Sequence, residues 1–337
     1  MAKKTYFLPA LSEFFETYLP KTRGLSANTI RSYQNVFRLL LEYIHAEQGV
    51  VPEKVEFRHL EKGTIEAWLN WLCAERGCST KTRNHRLSVL VTFARFALNR
   101  DFGGALALCS EVEHLPQKKD AKRADASHFT REEMSILLRL PNTNSKTGKR
   151  NKVMLSTLYA SGARAQELCD LTVGGVRFGK TTTMTLHGKG DKTRTIVIPE
   201  KSAALLKAHM ERNELIGADS QRHMFSSQTN EHMSISCIEA VVKKYVLMAK
   251  KMRPDLFREH YTPHSFRHSI AYHMLESGIP LPVIKTFLGH VSIASTMIYA
   301  SANFELVSKY LRNKNPYADQ DAELEQSGVS IMPHFLR

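Results

Sequence analysis

Residues up to about 110 read as helices only, and no other feature restricts the fold of this chain as much. Ile30, Tyr33, Phe37, Leu40, Leu41 and Ile44 recur at helical spacing behind the cap-like Ser26-Ala27-Asn28. Ile65, Trp68, Leu69 and Leu72 repeat the pattern in a second segment. A third helix starts near Ser79-Thr80 and turns Leu87, Leu90, Val91 and Ala94 inward. Three such faces can bury one another in a compact bundle. Two of the helices are basic on their outer side, with Arg31 and Arg38 on one and Lys81, Arg83, His85 and Arg86 at the start of another. Any one such residue is an ordinary solvated charge, but the cluster at a helix N-terminus is a different matter.

Between Glu111 and Ser127 the apolar periodicity stops, and Lys118, Lys119, Lys122 and Arg123 make the stretch basic enough to lie along a phosphate backbone. Thr130-Arg131-Glu132-Glu133 then forms a capping box ahead of Met134, Ile136, Leu137 and Leu138. A helix from Val153 to Ala160 runs into Gly162, and Arg164 begins the next turn, where free backbone N–H groups favour anions. Thr181 to Leu186 and Thr195 to Ile198 are β-prone and flank a turn at Gly188 to Asp191. Ala203 to Met210 and Ile235 to Met248 read as amphipathic scaffold helices. The expected fold is mainly α with a small antiparallel β-sheet, divided into a helical domain at 1–110, a basic linker at 111–127, a second domain at 128–315 and a tail at 316–337.

The length of 337 residues supports two cores. Lys and Arg number 47 against 33 Asp and Glu, a balance that calls for a polyanionic partner, nucleic acid being the common one. No basic amphipathic anchor for a membrane surface stands out. The apolar run after Lys3 and Lys4 is broken by Ser12 and Glu13, and no stretch approaches the ~20 apolar residues of a membrane span. Cysteines at 73, 78, 109, 169 and 237 are odd in number and scattered, as expected of reduced thiols in a cytoplasmic protein. Cys73 and Cys78 come nearest to a metal pair, but no second pair follows. His264, His268 and His273 invite a metal reading that an intervening arginine argues against. No metal is expected.

The C-terminal stretch carries the chemistry. Pro263-His264-Ser265-Phe266-Arg267-His268 is followed by Leu288-Gly289-His290 and then by Tyr299. His264 and Arg267, three residues apart, share a helix face and can reach one small anion together. A guanidinium fork suits two phosphate oxygens, and an imidazole moves protons near neutral pH. A phenol, with a pKa of about 10, attacks only with help from cations or a base.

This run closely resembles that of the tyrosine recombinase (phage integrase) family, which reads His-x-x-Arg-His, Leu-Gly-His, and a tyrosine nine residues further on. The family pattern also requires an arginine in Gly-x-Arg-x-x-Glu-Leu, supplied by Gly162-Ala163-Arg164-Ala165-Gln166-Glu167-Leu168, and a lysine on a hairpin, matched within His187-Gly188-Lys189-Gly190-Asp191-Lys192-Thr193-Arg194. Each fragment alone is weak, and the ordered set is specific. Gly24-Leu25-Ser26-x-Asn28-Thr29 and Lys81-Thr82-Arg83-Asn84-His85-Arg86 resemble the family's helical, SAM-like core-binding domain, which clamps DNA opposite the α+β catalytic domain. Departures are small: Ala163 stands where a larger apolar residue is common, and Ser265-Phe266 fills the gap between His264 and Arg267.

The resemblance implies a site-specific DNA recombinase working through a 3′-phosphotyrosyl intermediate, for integration or excision of a mobile element. Tyr299 would be the nucleophile, Arg164 and Arg267 would stabilise the phosphate charge, and His264 would handle the tyrosine proton. Lys189 would protonate the leaving 5′ oxygen, with Lys192 the second choice, His290 would hold a non-bridging oxygen, and Glu167 would orient Arg164. Arg31, Lys81, Arg83, Arg86, Lys118, Lys119, Lys122 and Arg123 would contact DNA. No nucleotide cofactor is expected, because the phosphotyrosyl ester conserves the bond energy. Expected partners are double-stranded recombination sites, three further copies in a tetramer, and an accessory DNA-bending factor, all at the nucleoid. After Asn315-Pro316 the tail turns acidic and then apolar (Val329, Ile331, Met332, Phe335, Leu336), as a segment docking on a neighbouring protomer would. A DNA-binding regulator without strand transfer and a type IB topoisomerase-like enzyme are the alternatives.

Overall fold

The computed structural model describes residues 7–60, 63–119, 127–188, 192–227 and 229–301. The chain divides into two compact units, Met1–Arg123 and Ala124–Arg337.

In the first unit α1 (Phe7–Glu13) runs on through Phe14–Thr22 with widened turns, followed by α2 (Ala27–Gln48), α3 (Thr64–Ala74), α4 (Thr80–Leu98) and α5 (Phe102–His114). Ser26 and Ser79 each accept a backbone N–H three residues on, Thr29 and Thr82 respectively, which starts α2 and α4. The expected stripes meet in a core of aromatic rings. Phe93 lies edge-on to Phe7, Phe14 and Phe37 at 5.6, 5.3 and 5.0 Å between centroids, and burying a ring of that size stabilises the fold by about 2 kcal/mol. Trp68 is fully buried, and its indole N–H donates to Leu39 O at 3.2 Å. Helix α5 extends to His114 and buries Val112, so helical structure continues into the segment read from sequence as linker.

The second unit opens with the expected capping box, Glu133 N–H donating to Thr130 Oγ1 at 3.2 Å and Thr130 N–H to Glu133 Oε2 at 2.6 Å. Its helices are α6 (Arg131–Arg139), α7 (Lys146–Ser161), α8 (Ala165–Cys169), α9 (Glu200–Arg212), α10 (Ile235–Met252), α11 (Pro263–Glu276), α12 (Leu281–Leu288) and α13 (Ala294–Ser301). Between α8 and α9 lies one antiparallel sheet in the order β1 (Val176–Arg177), β2 (Thr183–Gly188), β3 (Lys192–Val197). Register runs from Thr183 opposite Val197 to Gly188 opposite Lys192. Met184, Leu186 and Ile196 share the buried face, as the period of two requires. The sequence indicates the hairpin but not β1, which is too short to show alternation.

All five cysteines are free thiols; Cys109 and Cys169 are buried, and Cys73, Cys78 and Cys237 are half-buried. Among the described residues no helix is long and apolar enough to cross a membrane.

Candidate active site

Helix α7 ends at Gly162, whose φ of +57° is open to glycine and strained for other residues. A Cβ there would sit 2.9 Å from Leu288 Cδ2, so the close approach of the α12 end also requires glycine. The turn leaves Arg164 immediately ahead of α8, with its side chain 38% exposed. Glu167 is 2% exposed and accepts the Arg164 backbone N–H at 2.8 Å and its Nη1 at 2.6 Å. The same carboxylate accepts Nη1 and Nη2 of Arg194, on β3, at 2.9 and 2.8 Å. Burial alone would raise the Glu167 carboxyl, but the hydrogen bonds and charge of Arg194 and Arg164 overcome it and bring the pKa down to about 2.

Helix α11 begins with Pro263 in its first turn and with Ser265 Oγ accepting the Thr262 N–H at 3.0 Å. That phase turns Arg267 inward, at 1% exposure. Its Nη1 donates to Gly162 O at 2.7 Å and its Nη2 to Leu288 O at 2.6 Å. Among the described residues no carboxylate pairs with it. Burial, then the neighbouring Arg164 and Arg194, lower its pKa to about 9, so it stays a cation at neutral pH. One carboxylate, Glu167, thus pairs with two of the three guanidinium groups, and Arg267 has no anion of its own among the described residues.

His264, one turn before Arg267, faces the open side, and its pKa is lowered by desolvation and then by Arg267 and Arg164. His290 follows the C-terminal glycine of α12, Gly289 at φ +66°, and its Nδ1 is 2.9 Å from Thr296 Oγ1. Burial, then Arg267 and Arg164, bring its pKa to about 4.

Tyr299, on α13, is 5% exposed, and burial pushes its phenol up to about 12 against the opposing pull of Arg267 and Arg164. Its hydroxyl lies 2.9 Å from Nδ1 of His268. Burial and then His264 bring His268 to about 4, so both groups are neutral at pH 7. In the Nε2–H tautomer of His268 the phenol donates this bond. His268 is the residue whose hydrogen bond reaches the phenol, while the His264 ring stands edge-on to the His268 ring at 4.7 Å between centroids. His273 is buried against Tyr159, whose hydroxyl is 2.8 Å from Nδ1, and takes no part.

The structure thus brings Arg164, Glu167, His264, Arg267, His290 and Tyr299 into one electrostatic field and adds Arg194 and His268. Lys189 lies outside the described residues; Lys192 is exposed at the start of β3. Both additions carried a sequence signal. Arg194 has the same parity as buried Ile196 and faces buried Leu186 in register, and His268 adjoins Arg267. Among the described residues no group of three or more His, Cys, Asp or Glu could hold a metal ion.

In the first unit Arg31, Lys81, Lys118 and Lys119 are exposed and Arg86 is half-buried. Arg83 departs from the expected basic face: it is 2% exposed, and its Nη1 donates to Pro116 O at 2.8 Å. Beside it Asn84 Nδ2 donates to Lys118 O at 2.8 Å, and Lys118 N–H returns a bond to Asn84 Oδ1 at 3.1 Å. Arg83 falls one turn before Leu87 on the apolar stripe, which is why it is drawn inward. Lys122, Arg123 and the tail at 316–337 lie outside the described residues.

A buried tyrosine beside arginines that no carboxylate fully quenches is the arrangement of a phosphoryl-transfer enzyme. The chain belongs to the phage integrase family: that family's model matches residues 127–305, and the model of its N-terminal SAM-like domain matches residues 12–101. It is 28% identical over 322 residues to the putative integrase/recombinase y4rC of Sinorhizobium fredii, covering 96% of each chain. It is 30% identical over 279 residues to the tyrosine recombinase XerD of Halalkalibacterium halodurans, covering 82% of this chain and 88% of that one. Among solved structures the Tn1549 transposon integrase, in complex with a circular intermediate DNA, shares the fold at a TM-score of 0.66 and 18% identity, over 89% of this chain and 98% of that one.

Proposed function

We propose that this enzyme is a site-specific DNA recombinase in which Tyr299 attacks the scissile phosphate, forming a 3′-phosphotyrosyl bond and releasing a 5′-hydroxyl; the 5′-hydroxyl of a second strand then attacks that ester, forming a new phosphodiester and releasing the Tyr299 phenol. The observation that carries the reading is Arg267, a buried cation held by two carbonyls beside a buried phenol, with no carboxylate of its own among the described residues. A phosphate diester carries the charge this site lacks. Arg164 and Arg267 stabilise the pentavalent phosphate, a contribution of ~3 kcal/mol per preorganised donor. His264 or His268 accepts the phenol proton, His290 holds a non-bridging oxygen, and Lys189 protonates the leaving oxygen.

The helical region at 1–110 and the catalytic region at 128–315 grip duplex DNA, joined by the basic linker at 111–127, with Arg31, Lys81, Arg86, Lys118, Lys119, Lys122 and Arg123 supplying phosphate contacts. Exchange between two duplexes uses four protomers, assisted by a DNA-bending factor, with the tail at 316–337 docking on a neighbour. The name integrase/recombinase carried by the relative from Sinorhizobium fredii favours a mobile element as the context. The site of action is the nucleoid.

The test is a nicked suicide duplex carrying the element's own ends, incubated with wild type and Tyr299→Phe and resolved in SDS. An adduct present in wild type and absent from the variant is expected. Binding of that DNA without any adduct in wild type would replace the recombinase by a regulator. Truncation after Tyr317 that left recombination intact would remove the tail from the scheme.

A further inference from the structure

One side chain at the site that the reaction scheme does not use bonds to two other elements. Arg194, 12% exposed, spends one Nη on each oxygen of Glu167 and its Nε on Phe287 O at 3.0 Å. One planar fork thereby joins three elements: its own strand β3, the start of α8 where Arg164 sits, and the last turn of α12. It also forms the floor beneath Gly289, where an added Cβ would meet Arg194 Cδ at 2.9 Å, and His290 is the next residue. The end of β2 closes on the same point, since a Cβ at Gly188 would lie 3.2 Å from Glu167 Oε1 and 3.9 Å from Arg164 Nη1.

We propose that Arg194 is a positioning residue that sets Arg164, through Glu167, and His290, through the Phe287–Gly289 turn, at one fixed spacing across the scissile phosphate. The proposal rests on the roles given above to Arg164 and His290. Glu167 alone cannot do this, because it lies on α8 and its hydrogen bonds go to Arg164 and Arg194 rather than to α12. Arg194 bonds to both. A lysine could not replace it, since a single ammonium has no planar fork to span a carboxylate and a carbonyl on different elements. Misplacing a charge-stabilising group by about 1 Å costs on the order of 100-fold in rate. That cost falls on whatever negative charge the displaced groups were meant to meet.

The experiment uses full-length Arg194→Lys and Arg194→Ala with nicked substrates whose scissile linkage is either the normal phosphate or a methylphosphonate, which lacks one non-bridging charge. Adduct formation is followed in a single turnover at saturating enzyme, and DNA affinity by gel shift. Both variants are expected to bind within about threefold of wild type and to cleave the phosphate ~10- to 100-fold more slowly. On the methylphosphonate the loss should shrink to a few-fold, because less charge remains to be met. An equal loss on both linkages would mean a smaller folded fraction and would overturn the positioning role, as would phosphate cleavage within about threefold of wild type. Should Arg194→Ala fail to fold, Arg194→Lys gives the same comparison. Wild type forming no adduct on either linkage would sink the recombinase reading itself, an outcome distinct from a wild type that cleaves alongside unaffected variants.

Discussion

Glu167→Gln isolates the carboxylate that two arginines share. The amide keeps the shape but turns one end into donors facing guanidinium donors, and the charge is gone. Glu167 is 2% exposed and its pKa falls from 4.5 to about 2 on folding. At about 1.4 kcal/mol per unit, that displacement stabilises the catalytic unit by about 3 kcal/mol at neutral pH. The folded pKa lies below the unfolded one, so the contribution is complete above about pH 4.5 and drains away as pH falls toward 2; at pH 3 about 1 kcal/mol remains. The variant should therefore be about 3 kcal/mol less stable than wild type at pH 7 and only about 1 kcal/mol less stable at pH 3. Other groups that titrate in this range cancel in the difference. The tryptophans, Trp68 and Trp71, both lie in the helical first unit, so indole fluorescence would follow the wrong part of the molecule. Urea unfolding read by hydrogen exchange in peptides of α8 and β3 follows the right one. A difference that stayed the same at pH 7 and pH 3 would refute the assignment of the depressed pKa to this carboxylate.

Three further expectations concern the same unit. Tyr299, raised to about 12, should contribute no phenolate absorbance between pH 9 and about 11, so ultraviolet titrations of wild type and Tyr299→Phe should coincide there; a wild-type excess in that range would show the phenol to be less protected than its burial indicates. His273, brought to about 4 chiefly by burial, should stay neutral in the folded protein down to about pH 5 by NMR. Its folded pKa lies below its unfolded one, so stability is lost as pH falls from about 6.5 toward 4, and His273→Gln should flatten that loss. Gly162→Ala combines a positive φ with a 2.9 Å approach to Leu288, and should cost about 2 kcal/mol or more in thermal unfolding; an unchanged melting temperature would mean the α7 and α12 ends are not tightly apposed.

What could be read from the sequence was whatever repeats locally or sits in a fixed motif. The stripes of α2, α3 and α4, the Thr130 capping box and the β2–β3 hairpin follow from periodicity and cap chemistry, and Arg164, His264, Arg267, His290 and Tyr299 from a spaced pattern. What escaped depends on contacts distant in sequence. The bond from Tyr299 to His268 joins α13 to α11, and the fork of Arg194 reaches both α8 and α12. Arg83 departs from the expectation for another reason: it sits in a basic run but also on the stripe with Leu87 and Leu90. Charge suggested solvent, and the helical period placed it inside.

The two carbonyls that hold Arg267 belong to Gly162 and Leu288, where α7 and α12 end. Helix C-termini carry partial negative charge, so this cation is steadied by main-chain dipoles. Such ligands neither titrate nor swing away, and they cannot follow a departing phosphate. They are also absent from the side-chain inventory: an alanine scan would truncate Leu288 and leave its carbonyl in place. Such a scan would report strain at Gly162 and lost packing at Leu288, and would miss the carbonyls themselves. Only changes that act on the backbone, through proline, an altered turn or a replaced ester linkage, would expose how the arginine is held.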